Sequence, residues 1–239
     1  MTAMTAIFKR ELRGYFSTPV AYIFLVVFIV ASAFVTFTEI YFEGGEASLR
    51  PFFAALPLFF VLLAPAIAMR MWSEERRTGT IELLLTLPVT TPQAVLGKFL
   101  AGWVFFLLAL VLTLPIYFTV CWLGDPEPGP VFTGYLGAAL MAGSYLAIGC
   151  FFSAITRSQP ISFILGVVAC WIFMSVDSPA LLQWLPDGFA DFLASLSFQT
   201  HYDTIQRGVI ELRNICFLLI VMGGFLVSCN VMLDERKAQ

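Results

Sequence analysis

The chain has 239 residues, of which 59% are hydrophobic, 15% aromatic and only 12% charged, with a net charge of −3. A soluble domain is about 45–50% apolar and about 25% charged, so this composition excludes an ordinary water-soluble fold, whose polar residues could not cover so much apolar surface. No basic patch interleaved with exposed aromatics is present, so no nucleic acid is expected among the partners.

The apolar residues fall in long blocks, and crossing the hydrocarbon core of a bilayer takes roughly 20 of them in one helix. Residues 4–16 set Ile7, Phe8, Leu12, Tyr15 and Phe16 against Lys9, Arg10 and Arg13. That pattern predicts an N-terminal amphipathic helix lying on the inner membrane surface. The next run, from Pro19 to Thr38, passes the small residues Ala31-Ser32-Ala33 and is longer than the about 7–15 residues of a signal-peptide core. It is therefore expected as a first span, Val20 to Thr38.

Further spans are expected at Phe52–Met71, Ala94–Leu123, Phe132–Ile155, Ile161–Val176 and Ile215–Leu233, making six. Pro57, Pro65 and Pro115 should kink their helices, which a bundle tolerates when neighbours satisfy the freed carbonyls. Gly124 to Pro130 holds two glycines and three prolines and is expected as an irregular external turn. Ser178 to Asn214 is moderately apolar but broken by Pro186 and Gly188, which suits short interfacial or re-entrant helices on the outer face. The fold class is thus an all-α membrane protein, with residues 1–239 forming a single transmembrane domain.

Orientation follows from lysine and arginine, which gather on the cytoplasmic side. With the N-terminus inside, Lys9, Arg10, Arg13, Arg70, Arg76, Arg77, Lys98, Arg157, Arg236 and Lys237 are cytoplasmic, and only Arg50, Arg207 and Arg213 are outside. Both termini are then cytoplasmic.

Little in the chain suggests catalysis. No G-x-x-x-x-G-K-[ST] phosphate cradle occurs, since Gly97-Lys98 is followed by Phe99. His201 is the sole histidine; Asp187 and Asp191 lie one helical turn apart and read as a solvated face rather than an acid–base pair. The five cysteines lie in or beside apolar segments without metal-ligand spacing and are expected as buried, unpaired packing residues. No metal or cofactor is expected in this chain. Ionisable residues are also absent from the middle of every expected span, which argues against ion-coupled transport.

The segment from Arg70 to Pro88 is the most distinctive, charged at its front and apolar at its back. Thr80 can cap a short helix that carries Leu83, Leu84 and Leu87 on one side and ends at Pro88, which suits docking into a partner's groove. Glu74-Glu75, Gly79-Thr80-Ile81-Glu82-Leu83-Leu84 and Pro88 resemble the E-x(4)-GT-[LI]-E-x-L-x(3)-P pattern of ABC-2 type permeases. Ser197-Phe198, His201-Tyr202-Asp203 and Arg207 to Arg213 resemble the outer segment of the gliding-motility-associated branch of that family.

The resemblance implies a permease subunit of an ABC transporter in the cytoplasmic (inner) membrane, working with a second permease chain, identical or related. Export is the implied direction. ATP and magnesium would sit on separate ATPase subunits, so the chain is not an enzyme by itself. Residues implied in ATPase coupling are Glu74, Glu75, Gly79, Thr80, Glu82, Leu84 and Pro88, with Arg157 in a second cytoplasmic contact, Thr156 to Pro160. The alternatives are a membrane scaffold for an ATP-driven cell-envelope machine and a membrane enzyme using Asp187, Asp191 and His201 on lipid precursors.

Overall fold

Five of the seventeen glycines in the chain fall between Gly129 and Gly149, and the helix that holds them is the centre of the structure. The computed structural model describes residues 3–39, 48–79, 89–124, 126–184 and 186–237, and within these it is helical throughout with no strand. In chain order the helices are α1 (Ala3–Phe16), α2 (Pro19–Glu39), α3 (Arg50–Ala68) and α4 (Ser73–Thr78). They continue with α5 (Thr91–Val111), α6 (Leu114–Leu123), α7 (Pro128–Ile155), α8 (Gln159–Ser175), α9 (Pro179–Leu182), α10 (Asp187–Ala194), α11 (Phe198–Gln206) and α12 (Leu212–Lys237).

Helix α7 packs against α3, α5, α8, α11 and α12, and 72% of its most apolar stretch is buried inside the protein. Small residues make this possible, because apolar helices in lipid associate by close packing rather than by escape from water. A Cβ at Gly149 would come within 2.6 Å of Ala68 Cβ on α3, so α3 and α7 touch where neither carries a large side chain. The helices around it are far less covered. Only 28% of the corresponding stretch of α2 and 11% of that of α12 is buried; α2 displays exposed Val, Ile and Phe side chains and α12 exposed Leu, Ile and Val, of the kind that face lipid.

Among the described residues five helical stretches are long and apolar enough to cross a membrane: Pro19–Thr38, Arg50–Thr78, Thr91–Leu123, Pro128–Ile155 and Leu212–Glu235. The expected fifth span corresponds to α8, an apolar helix of 17 residues, just under that length. The expected third span is interrupted at Leu112-Thr113, where Pro115 has no N–H to continue the ladder. There the Thr113 hydroxyl donates to the Leu110 carbonyl at 2.6 Å and pairs with the Tyr135 hydroxyl at 3.1 Å, so the break is satisfied from within. Helix α3, in contrast, continues through both Pro57 and Pro65.

Two expectations need correction. The turn expected over Gly124–Pro130 is shorter, because α7 already begins at Pro128, and proline's fixed φ suits the first turn of a helix. The cysteines are all free, as expected, but Cys121 and Cys216 are exposed, while Cys150, Cys170 and Cys229 are buried. Between α8 and α12 lie three short helices. The longest, α11, packs on α7, α12, α3 and α8 and buries Phe198, His201, Tyr202 and Ile205.

Candidate coupling site

The end of the molecule that carries α4 is held by charged and polar contacts. Helix α4 follows α3 after a turn at Met69–Trp72, and its N-terminal backbone is anchored on α7. The N–H groups of Trp72 and Ser73 both donate to Ser153 Oγ at 3.1 Å, and that hydroxyl donates to the Met69 carbonyl at 3.1 Å. The Trp72 indole N–H reaches Cys150 Sγ at 3.3 Å, with the ring fully buried. A single serine thus satisfies two helix-start donors that would otherwise be orphaned.

From the other side of α4, Arg76 donates to the carbonyls of Ala154 and Ile155, the latter at 2.7 Å. These are the last carbonyls of α7, where a cation complements the negative end of the helix dipole. Helix α4 also touches α8, so the Thr156–Pro160 turn and the α4 segment lie at one place.

Glu75 points into a four-charge cluster that the sequence pattern did not single out. Lys98 Nζ, on α5, lies 2.9 Å from Glu75 Oε1 and 3.0 Å from Glu11 Oε1 of α1. Arg10 reaches the same two carboxylates, at 2.8 Å to Glu11 and 3.0 Å to Glu75. Lys98 is only 2% exposed, and its ammonium lies 5.2 Å from the centroid of the Trp72 ring. Burial pushes the Glu11 carboxyl up, but the Lys98 charge and hydrogen bonds from Arg10 and Lys98 outweigh it and hold the group below its ordinary value.

The cluster forms because α1 lies directly against α5. A Cβ at Gly97 would meet Ile7 Cγ2 and the Met4 carbonyl at 3.1 Å, so glycine permits the approach. Tyr15 stacks on Phe105 at 5.4 Å and Phe16 lies 5.8 Å from the same ring. The signal in the sequence was Gly97-Lys98, a small residue and a lone charge inside an otherwise apolar helix.

The residues expected in coupling are thus partly assembled and partly out of view. Glu75 joins the cluster. Glu74 is half exposed and lies 3.6 Å from Arg70 and 3.8 Å from Arg77. Gly79 ends α4 with φ 74°, a left-handed conformation for which glycine is the natural choice. Thr80, Glu82, Leu84 and Pro88 lie outside the described residues. Arg157 is exposed in the turn after α7.

At the opposite end the described residues form no catalytic arrangement. His201 is 4% exposed and stacked on Phe217 at 4.1 Å. Its Nε2 bonds to the Ser195 carbonyl at 3.0 Å and its Nδ1 pairs with the Asn214 side-chain amide at 2.7 Å. Both ring nitrogens are therefore occupied by packing partners. The side chains of Asp187 and Asp191 lie outside the described ones. Among the described residues no three His, Cys, Asp or Glu side chains come together to hold a metal.

An all-helical chain with five membrane-length apolar helices is a multi-pass membrane protein. A family model described as ABC-2 family transporter protein matches residues 49–237, and the chain belongs to that family, the membrane permease components of ABC transporters. The match covers α3 to α12 and so includes α4, while α1 and α2 precede it. It lends no support to the narrower gliding-motility branch. No curated protein matches the chain.

Proposed function

We propose that this chain is the permease subunit of an ABC exporter whose ATP is hydrolysed by separate subunits docked on segment 74–88. One observation carries the reading. The start of that segment is tied at once to α1 through Glu75, to α5 through Lys98 and to α7 through Ser153 and Arg76. A displacement of α4 would therefore reach three elements of the bundle without crossing a flexible link.

In this reading α8 is the sixth span, since a predominantly apolar helix of 17 residues is at the lower limit for crossing. Both termini and α4 face the cytoplasm, α1 lies at the inner surface of the cytoplasmic membrane, and α9 to α11 are on the outer face. Two such chains, identical or related, pair with two ATPase subunits. ATP and magnesium belong to those subunits. Thr80, Glu82, Leu84 and Pro88 are assigned to contact with the ATPase subunit, and Arg157, in the turn after α7, to a second contact. The enzyme alternative loses its histidine to packing, and nothing specific favours a scaffold over a permease.

The test is the ATPase activity of the partner subunit, reconstituted in lipid with wild type, Glu82→Ala or Leu84→Asp. The expected result is loss of partner binding or of coupled activity while the membrane chain melts normally. A complex untouched by both substitutions would contradict the assignment of segment 74–88.

A further inference from the structure

The end of the molecule that carries α11 has two recesses with a common wall. One is a cavity of about 620 Å³ between the start of α3, the α6–α7 turn and the end of α11. Its polar lining consists of Ser48, Arg50, Glu127, Gln206 and Arg207. The other, of about 560 Å³, lies along α5, α6 and α7 and is apolar, with Leu110, Leu114, Tyr117, Phe132 and Tyr135 in its walls. Val131 lines both.

The charge of the first recess is unusual for its surroundings. In the proposed orientation only three arginines lie outside, and two of them, Arg50 and Arg207, meet here. Neither is used in an ion pair among the described residues. On its other side Arg207 borders a recess holding Asp177, Asp203 and Glu211, where an anion would be repelled. The anion-accepting side is therefore the one shared with Arg50. Among the described lining residues Glu127 opposes the two guanidiniums and leaves a net +1, which favours a singly charged group over a doubly charged one.

Depth fits as well. Trp122, 90% exposed at the end of α6, adjoins Leu123 of the cavity wall, and exposed tryptophans concentrate at the membrane–water interface. From there the apolar recess follows α7 from Pro128 to Ala139, roughly 16 Å along the helix.

We propose that the two recesses together bind one phospholipid of the outer leaflet, its phosphodiester between Arg50 and Arg207 and one acyl chain in the apolar recess. The leaflet rests on the orientation given under Proposed function; the pairing of the recesses does not.

Native mass spectrometry of the purified full chain tests this with three probes: phosphatidylglycerol, diacylglycerol with the same chains, and inorganic phosphate. Phosphatidylglycerol should bind and diacylglycerol should bind far more weakly. Arg50→Gln with Arg207→Gln should reduce phosphatidylglycerol affinity roughly tenfold. Val111→Trp, which fills the apolar recess from its exposed side, should also reduce it. Unchanged helix content and melting temperature would show that the variants fold.

Equal binding of diacylglycerol, or full binding by the double arginine variant, would overturn the proposal. So would displacement by inorganic phosphate together with indifference to Val111→Trp, which would mark a free-anion site. Ser48→Cys, labelled in intact cells by a membrane-impermeant maleimide against the wild-type background, tests the leaflet separately. Labelling from outside supports the outer leaflet, and labelling only after permeabilisation overturns the orientation whatever the lipid result.

Discussion

The two ends of this bundle are built differently. At the α4 end, charged groups from α1, α4 and α5 meet around a Lys98 that is 2% exposed, and Ser153 and Arg76 pin α4 to α7. At the α11 end the described residues form no ion pair, and several of the hydrogen bonds stay within α11, such as Gln199 and Gln206 to Asp203. Cavities of about 620 and 490 Å³ open there instead. One end is cross-tied by charges around a smaller recess of about 250 Å³, the other is joined by apolar packing and neutral hydrogen bonds around larger ones. In the reading proposed above, the charge-tied end is the one that receives the movement of the ATPase. The comparison can be broken or sharpened by substitution, because it predicts large costs at one end and small ones at the other.

The largest effect is expected for Lys98→Met. It leaves Glu11 and Glu75 with only the exposed Arg10 as a cation, and removing one partner of a buried pair costs up to about 3–5 kcal/mol. A melting temperature near that of wild type would show that the cluster is a surface feature after all. Gly97→Val should come next, at about 1–3 kcal/mol, because its side chain would press on Ile7 and on the Met4 backbone and push α1 away from α5. Reduced protection of α1 in hydrogen exchange, with α7 unaffected, would be its signature.

Ser153→Ala removes the acceptor shared by two buried N–H groups and should cost about 1–2 kcal/mol. At the opposite end Thr200→Ala deletes the exposed bond to Asp177 and should stay within about 0.5 kcal/mol. Equal costs for these two would erase the asymmetry.

The smallest effect is a pH dependence. The Glu11 carboxyl is held below its ordinary value of 4.5 in the folded protein. Its pairing therefore stabilises fully above that pH and is lost as pH falls through the lower folded value. Melting temperature should drop on acidification below about 4.5 by more in wild type than in Glu11→Gln. An identical drop in both would remove Glu11 from the account.

Apolar length alone located the membrane helices to within a few residues, because a run of twenty apolar side chains leaves few other choices. The break near Pro115 was legible for the same local reason: a missing N–H. What could not be read was contact between distant elements. Lys98 looked like a failed phosphate cradle beside Gly97, since nothing local reveals that Glu11 and Glu75, 87 and 23 positions away, converge on it. Ser153 looked like any serine in an apolar helix, and its role depends on how α3 ends. His201, in contrast, was expected as a surface or packing residue simply because it is the sole histidine, and it is buried against Phe217.

The most direct test of the coupling account is to replace three of the four charges of the cluster by uncharged side chains, leaving only the exposed Arg10. Lys98→Met combined with Glu11→Gln and Glu75→Gln removes the ties while leaving no buried unpaired charge, so the fold should survive. Reconstituted with the partner ATPase, this variant should still bind it through segment 80–88, yet the membrane chain should no longer stimulate ATP hydrolysis. Stimulation equal to that of wild type, in a complex of equal affinity, would contradict the claim that force enters the bundle through α4.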